Sequence, residues 1–201
     1  MALRLRNSFH SGRPRSMAEH ASVIAMLAWK LAQEAIARMR QADYDIEVGR
    51  GWFDFVCEYL VFLALAADRI AHDELTAEQR GEFTVALVRR LAAMVEEARE
   101  ALLPDLPPGD AGRGFLEAYN RRSDEYADFG FDESGPDFGF RRCFAACIKE
   151  TLPEKDRLWA VDQVMEIESP EAIRTLQKTL GGLFHPETVK SRRSRDGVSG
   201  E

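Results

Sequence analysis

The sequence predicts an all-α protein, a bundle of six or seven helices of which three are long and three or four short. Three observations carry this. Tyr59 to Ala67 is an unbroken run of nine apolar or aromatic residues, inside a stretch from Trp52 to Leu75 that contains no Gly or Pro. Phe83, Leu87, Leu91, Met94, Ala98 and Leu102 recur at spacings of three and four, the period of one helix face. No segment alternates apolar and polar residues as a half-buried strand does.

The helices follow in order from their stop and start signals. Ser16 with Glu19 reads as a capping box, so the first helix opens at Met17 and runs to about Gln41 with Ile24, Leu27, Leu31 and Ala35 on one face. Residues 43–51 are rich in turn formers, and the helix from Trp52 to Leu75 follows them. Being apolar on nearly every side, it is the central, buried helix. At roughly 20 apolar residues to span a bilayer it is too short to insert, and Asp54, Glu58, Asp68 and Arg69 flank its apolar run. Thr76 with Gln79 opens the third helix, which Pro104, Pro107, Pro108 and Gly109 end.

Shorter helices are expected from about Gly114 to Tyr126, Arg141 to Leu152, Pro153 to Glu168 and Pro170 to Leu180. Pro153 and Pro170 suit a first helical position, Ser169 suits an N-cap, and Gly181 suits a stop. The organisation predicted is a flexible basic arm over residues 1–15, one helical domain over 16–182 and a flexible tail over 183–201.

Charge and cysteine usage narrow the function classes. The net charge is −7, and setting apart +4 on residues 1–15 and +1 on residues 183–201 leaves −12 on the domain. So acidic a body disfavours nucleic acid, whose binding surfaces are basic. Three cysteines make no disulfide framework, and residues 1–15 lack the apolar core of a signal peptide, so a reduced, cytoplasmic setting is expected. The residues three before the histidines are Asn7, Met17, Arg69 and Gly182, so the Glu-x-x-His of a di-iron bundle is absent. There is no phosphate-cradling loop, nucleophile elbow or dinucleotide fingerprint. No catalytic residue, metal pattern or cofactor is predicted.

The central helix holds the strongest polar constellation. At about 100° per residue, Asp54, Glu58, Asp68, Arg69 and His72 fall within an arc of about 100° on an otherwise apolar helix. They are the candidate ligand-binding residues, although Glu58 and Arg69 stand roughly 16 Å apart along the axis. Glu58 lies beside the apolar run and requires a partner, an Arg from another helix fitting best. Cys143 and Cys147 share one helix face at i, i+4, where they could bind a soft metal with a third ligand or form a redox pair; the spacing alone is a weak signal, and buried packing is the simpler reading.

Between the shorter helices, Asp-Phe-Gly-Phe occurs at residues 128–131 and again at 137–140. Without the other kinase motifs this is no kinase signature. Phe129, Phe131, Phe138 and Phe140 are instead candidate docking residues of a long loop, or else plugs for the end of the bundle. The function expected is non-catalytic: self-association, a dimer favoured, and docking of a protein partner. The alternative is a small-molecule or metal-binding protein, an enzyme included, with its site on the central helix.

Overall fold

The capping box at Ser16 forms as its residues require: Glu19 N–H donates to Ser16 Oγ at 3.2 Å, and Ser16 N–H donates to the Glu19 carboxylate at 2.7 Å. The chain beyond it is seen in a computed structural model that describes residues 15–105 and 107–186. The expected basic arm and tail lie outside the described residues except for Arg15 and residues 183–186. Helix α1 spans Met17–Gln41, α2 Arg50–Glu74 and α3 Ala77–Leu102, and the Thr76–Gln79 capping box is also present.

Helix α2 is the hub, touching α1, α3 and three helices of the second half, α4 (Asp110–Tyr126), α5 (Phe138–Thr151) and α7 (Ser169–Phe184). Every residue of its apolar run from Tyr59 to Ala67 is buried. Burial of each large side chain there is worth on the order of 1.5–3 kcal/mol. Phe62 stacks on Phe144 of α5 at 3.8 Å, and Tyr59 meets the same ring edge-on at 5.2 Å. This aromatic seam fixes α5 against the centre of the fold.

Helix α2 opens at Arg50, two residues before the expected Trp52, and the starts of α4 and α5 differ further from the sequence reading. Helix α4 begins at Asp110 rather than near Gly114, because Glu96 of α3 accepts the Gly109 and Gly112 N–H groups at 2.8 and 2.9 Å. A side chain from another helix thus supplies the cap that the local sequence lacks. Gly112 allows this approach, since a Cβ there would lie 3.1 Å from the Ala92 carbonyl oxygen. Helix α5 begins at Phe138 rather than Arg141, because Asp137 caps it by accepting the Phe140 N–H at 2.7 Å. Between α4 and α5, β1 (Phe131–Asp132) and β2 (Gly135–Pro136) form a minimal antiparallel hairpin.

The last expected boundary is absent. Helix α6 (Arg157–Gln163), a π-helical turn (Val164–Glu168) and α7 run on as one rod. Ser169 has helical angles, φ −64° and ψ −50°, so it does not cap α7. Pro170 can donate no N–H and its ring crowds the carbonyl four residues back, and the widened turn just before it accommodates both. Pro153 is extended, with ψ 148°, and precedes a 3₁₀ turn, Glu154–Asp156, rather than opening a helix. Gly181 does not end α7, which continues to Phe184, whose ring meets Phe83 at 5.7 Å and His20 at 5.8 Å. Among the described residues no helix is long and apolar enough to cross a membrane.

Candidate functional site

The polar face of α2 is shared among different neighbours. Glu58 receives both ends of the Arg122 guanidinium of α4, at 2.9 and 3.1 Å, which is the Arg partner its position demanded. Asp68 is gripped by Arg80 of α3, whose Nε donates at 2.9 Å, and by the Thr84 hydroxyl at 2.7 Å. Arg69 donates to the Tyr126 and Ala127 carbonyl oxygens at the C-terminal end of α4. His72 is exposed and sits 3.0 Å from Asp73 rather than against Asp68. Burial raises the Asp54 carboxyl above its ordinary pKa, opposed by Arg50 and reinforced by Glu58. The shared arc of the helical wheel therefore does not gather these five residues at one place.

The aromatic loop is mostly turned inward. Phe140 is fully buried between Phe62 at 5.9 Å and Tyr126 at 4.5 Å. Phe129 lies so close to Gly139 that a Cβ there would come within 2.6 Å of its ring, and Phe131 leans on Phe140 at 5.6 Å. The two Asp-Phe-Gly-Phe copies pack on one another, held by Asp137, which accepts the Gly130 N–H at 2.8 Å. Phe138, 59% exposed, is the ring of the four left to solvent.

Two polar groupings were not legible as wholes beforehand. The first is Glu168, fully buried in the π turn, which accepts from Arg38 Nε at 3.1 Å and Nη2 at 2.6 Å and from Gln163 at 3.1 Å. This pairing ties α1 to the final rod. The second lies where α4 meets α5: one ligand atom each from Glu125, Cys143 and Cys147, all within 4.8 Å of one another. Arg122 bridges from Glu58 to the Glu125 carboxylate, at 2.5 Å, so α2 is connected to the thiols through α4.

The two thiols are unequal. Hydrogen bonding from Cys147, helped by the Tyr126 hydroxyl and by the charge of Arg122, lowers the Cys143 thiol to about 7 against the cost of partial burial. Donating that hydrogen bond raises Cys147, and burial and Glu58 push it the same way. Ionisation is thus favoured at the partly exposed Cys143 and disfavoured at the buried Cys147. Such a pair can act as a nucleophile or hold a soft cation. The i, i+4 spacing marked the pair in sequence, but Glu125, eighteen residues earlier on another helix, gave no signal.

No protein-family model, curated protein or solved structure matches the chain.

Proposed function

We propose that this is a non-catalytic interaction protein of a reduced, cytoplasmic setting that self-associates as a dimer, the basic arm of one copy lying on a face of the other. The observation that carries it is the side-by-side exposure of Leu158 and Trp159, at 74% and 65%. Adjacent large apolar side chains on a surface mark interaction sites far more than scattered ones do, and a Trp is a favoured anchor. Arg157 pins this turn by donating to the Leu152 and Glu150 carbonyl oxygens. Beside it lies a groove of about 500 Å³ lined by residues 45–51 and 151–153, with the exposed Val48 on its lip. Asp45, Glu47 and Arg50 are the charged residues of its lining, and Lys155 pairs with Asp45 at 2.8 Å.

Residues 1–15 carry apolar side chains that suit such a face, Leu3, Leu5 and Phe9, interspersed among four arginines and no acid. The groove follows the C-terminal end of α1, while the arm joins its N-terminal end, roughly 37 Å away for a helix of 25 residues.

Light scattering over a dilution series of the full chain tests this. A dimer is expected, weakened about tenfold or more by Leu158→Ala with Trp159→Ala, by removal of residues 1–14, and by salt. A wild-type monomer at every concentration, or a dimer indifferent to the double substitution or to the truncation, overturns it.

A further inference from the structure

We propose that Glu125, Cys143 and Cys147 form a binding site for a thiophilic divalent cation, with zinc the best fit. Tetrahedral zinc bonds sulfur at about 2.3 Å and oxygen at about 2.0–2.2 Å, which sets its ligands roughly 3.5–3.8 Å apart. The three donor atoms already lie within 4.8 Å of one another, so side-chain rotations of about 1 Å close the site without moving a helix. The donors come from two elements, α4 and α5, whose relative position is fixed by Tyr126 packing on Phe140.

A disulfide suits the same pair poorly. It needs Cβ atoms about 3.5–4.5 Å apart, whereas i, i+4 positions on a helix hold them about 5–6 Å apart. Closing it would unwind α5, whose Phe140, Phe144 and Ile148 are fully buried. The longer span between two zinc-bound sulfurs leaves the helix intact.

Charge also fits a dication. Two thiolates and a carboxylate around zinc leave one negative charge, part of which is met by Arg122, shared between Glu125 and Glu58. Arg122 then plays the part that outer hydrogen-bonding groups play at metal sites, orienting the carboxylate ligand. Glu125 is exposed and Cys143 partly so, which gives the ion a way in, and three protein donors leave the fourth position to water or a small ligand. Whatever thiol protons the pair still holds pass to solvent on binding. The site does not depend on self-association.

The test is titration of the metal-free full chain with zinc against a chromophoric chelator, and with cobalt followed by absorbance. One equivalent is expected, and cobalt should show thiolate charge transfer and tetrahedral d–d bands. Cys143→Ser or Cys147→Ser should weaken binding at least a hundredfold, Glu125→Gln about tenfold, and Cys57→Ser not at all. No zinc uptake, an octahedral cobalt spectrum, binding that survives loss of both thiols, or indifference to Glu125→Gln overturns the site. Alkylation of the wild type guards against variants that do not fold: zinc should shield Cys143 and leave Cys57 unchanged, and equal labelling of Cys143 with and without zinc also refutes it.

Discussion

The two ends of α2 carry the same device with different consequences. Glu58 and Asp68 are each 18% exposed, and each is gripped by an Arg from a neighbouring helix. At the Asp68 end the grouping closes on itself, because Arg80 and Thr84 both come from α3 and the contact locks two consecutive helices. At the Glu58 end Arg122 has a second partner, Glu125, and through it reaches the thiols of α5. An ion pair with no outlet is a clasp, whereas one whose cation is shared becomes part of a site. Residue type and exposure do not separate the two; the next neighbour does.

The largest expected break in this comparison is Arg122→Ala. It leaves Glu58 unpaired beside the apolar run and frees Glu125, so urea denaturation should show a loss of about 3 kcal/mol, the low end of the range for breaking a buried pair. Arg80→Ala should cost less, about 1–3 kcal/mol, since the Thr84 hydroxyl still serves Asp68. If the losses come out in the reverse order, the two ends are not as different as their geometry implies.

Thiol reactivity sharpens the contrast. Thiolate is the reactive form, and Cys143 is lowered to about 7 from 9.0, so its alkylation in metal-free protein should rise through about pH 7 and fade below it. Burial raises Cys57, with Asp54 and Glu58 adding to the effect, so it should stay inert over that range. Tyr126→Phe removes a donor to Cys143 and should move the midpoint upward, while Asp68→Asn should leave it in place. A midpoint that follows Asp68 instead would mean the two ends are coupled through α2. The smallest effect concerns stability alone: Trp159→Ala should change it by less than about 0.5 kcal/mol, because the ring is mostly in solvent.

The aromatic loop shows why the site residues were harder to read than the helices. Four phenylalanines spaced by acids and glycines look like an exposed surface in one dimension, yet the two repeats fold face to face and three of the rings turn in. Pro170 misleads in the same way. A proline with a Ser before it is a sound start signal, but Glu168 is fixed by Arg38 of α1, and the chain keeps its helical course by widening one turn.

By itself the sequence determined what depends on residues within a turn or two of each other. The capping boxes at Ser16 and Thr76, the periodic face of α3 and the all-round apolarity of α2 set three helices and made α2 the buried one. It also determined that Glu58 must find a cation, since a half-buried carboxylate cannot stand alone. Tertiary structure alone decided which cation that was, that Asp68 and His72 would part, and that Glu125 would join two cysteines eighteen and twenty-two residues away. The reason is physical. Caps and periodicity are settled by local hydrogen bonds and by burial, whereas ion pairs and ligand sets depend on which helix faces meet, and that is settled by packing the whole core.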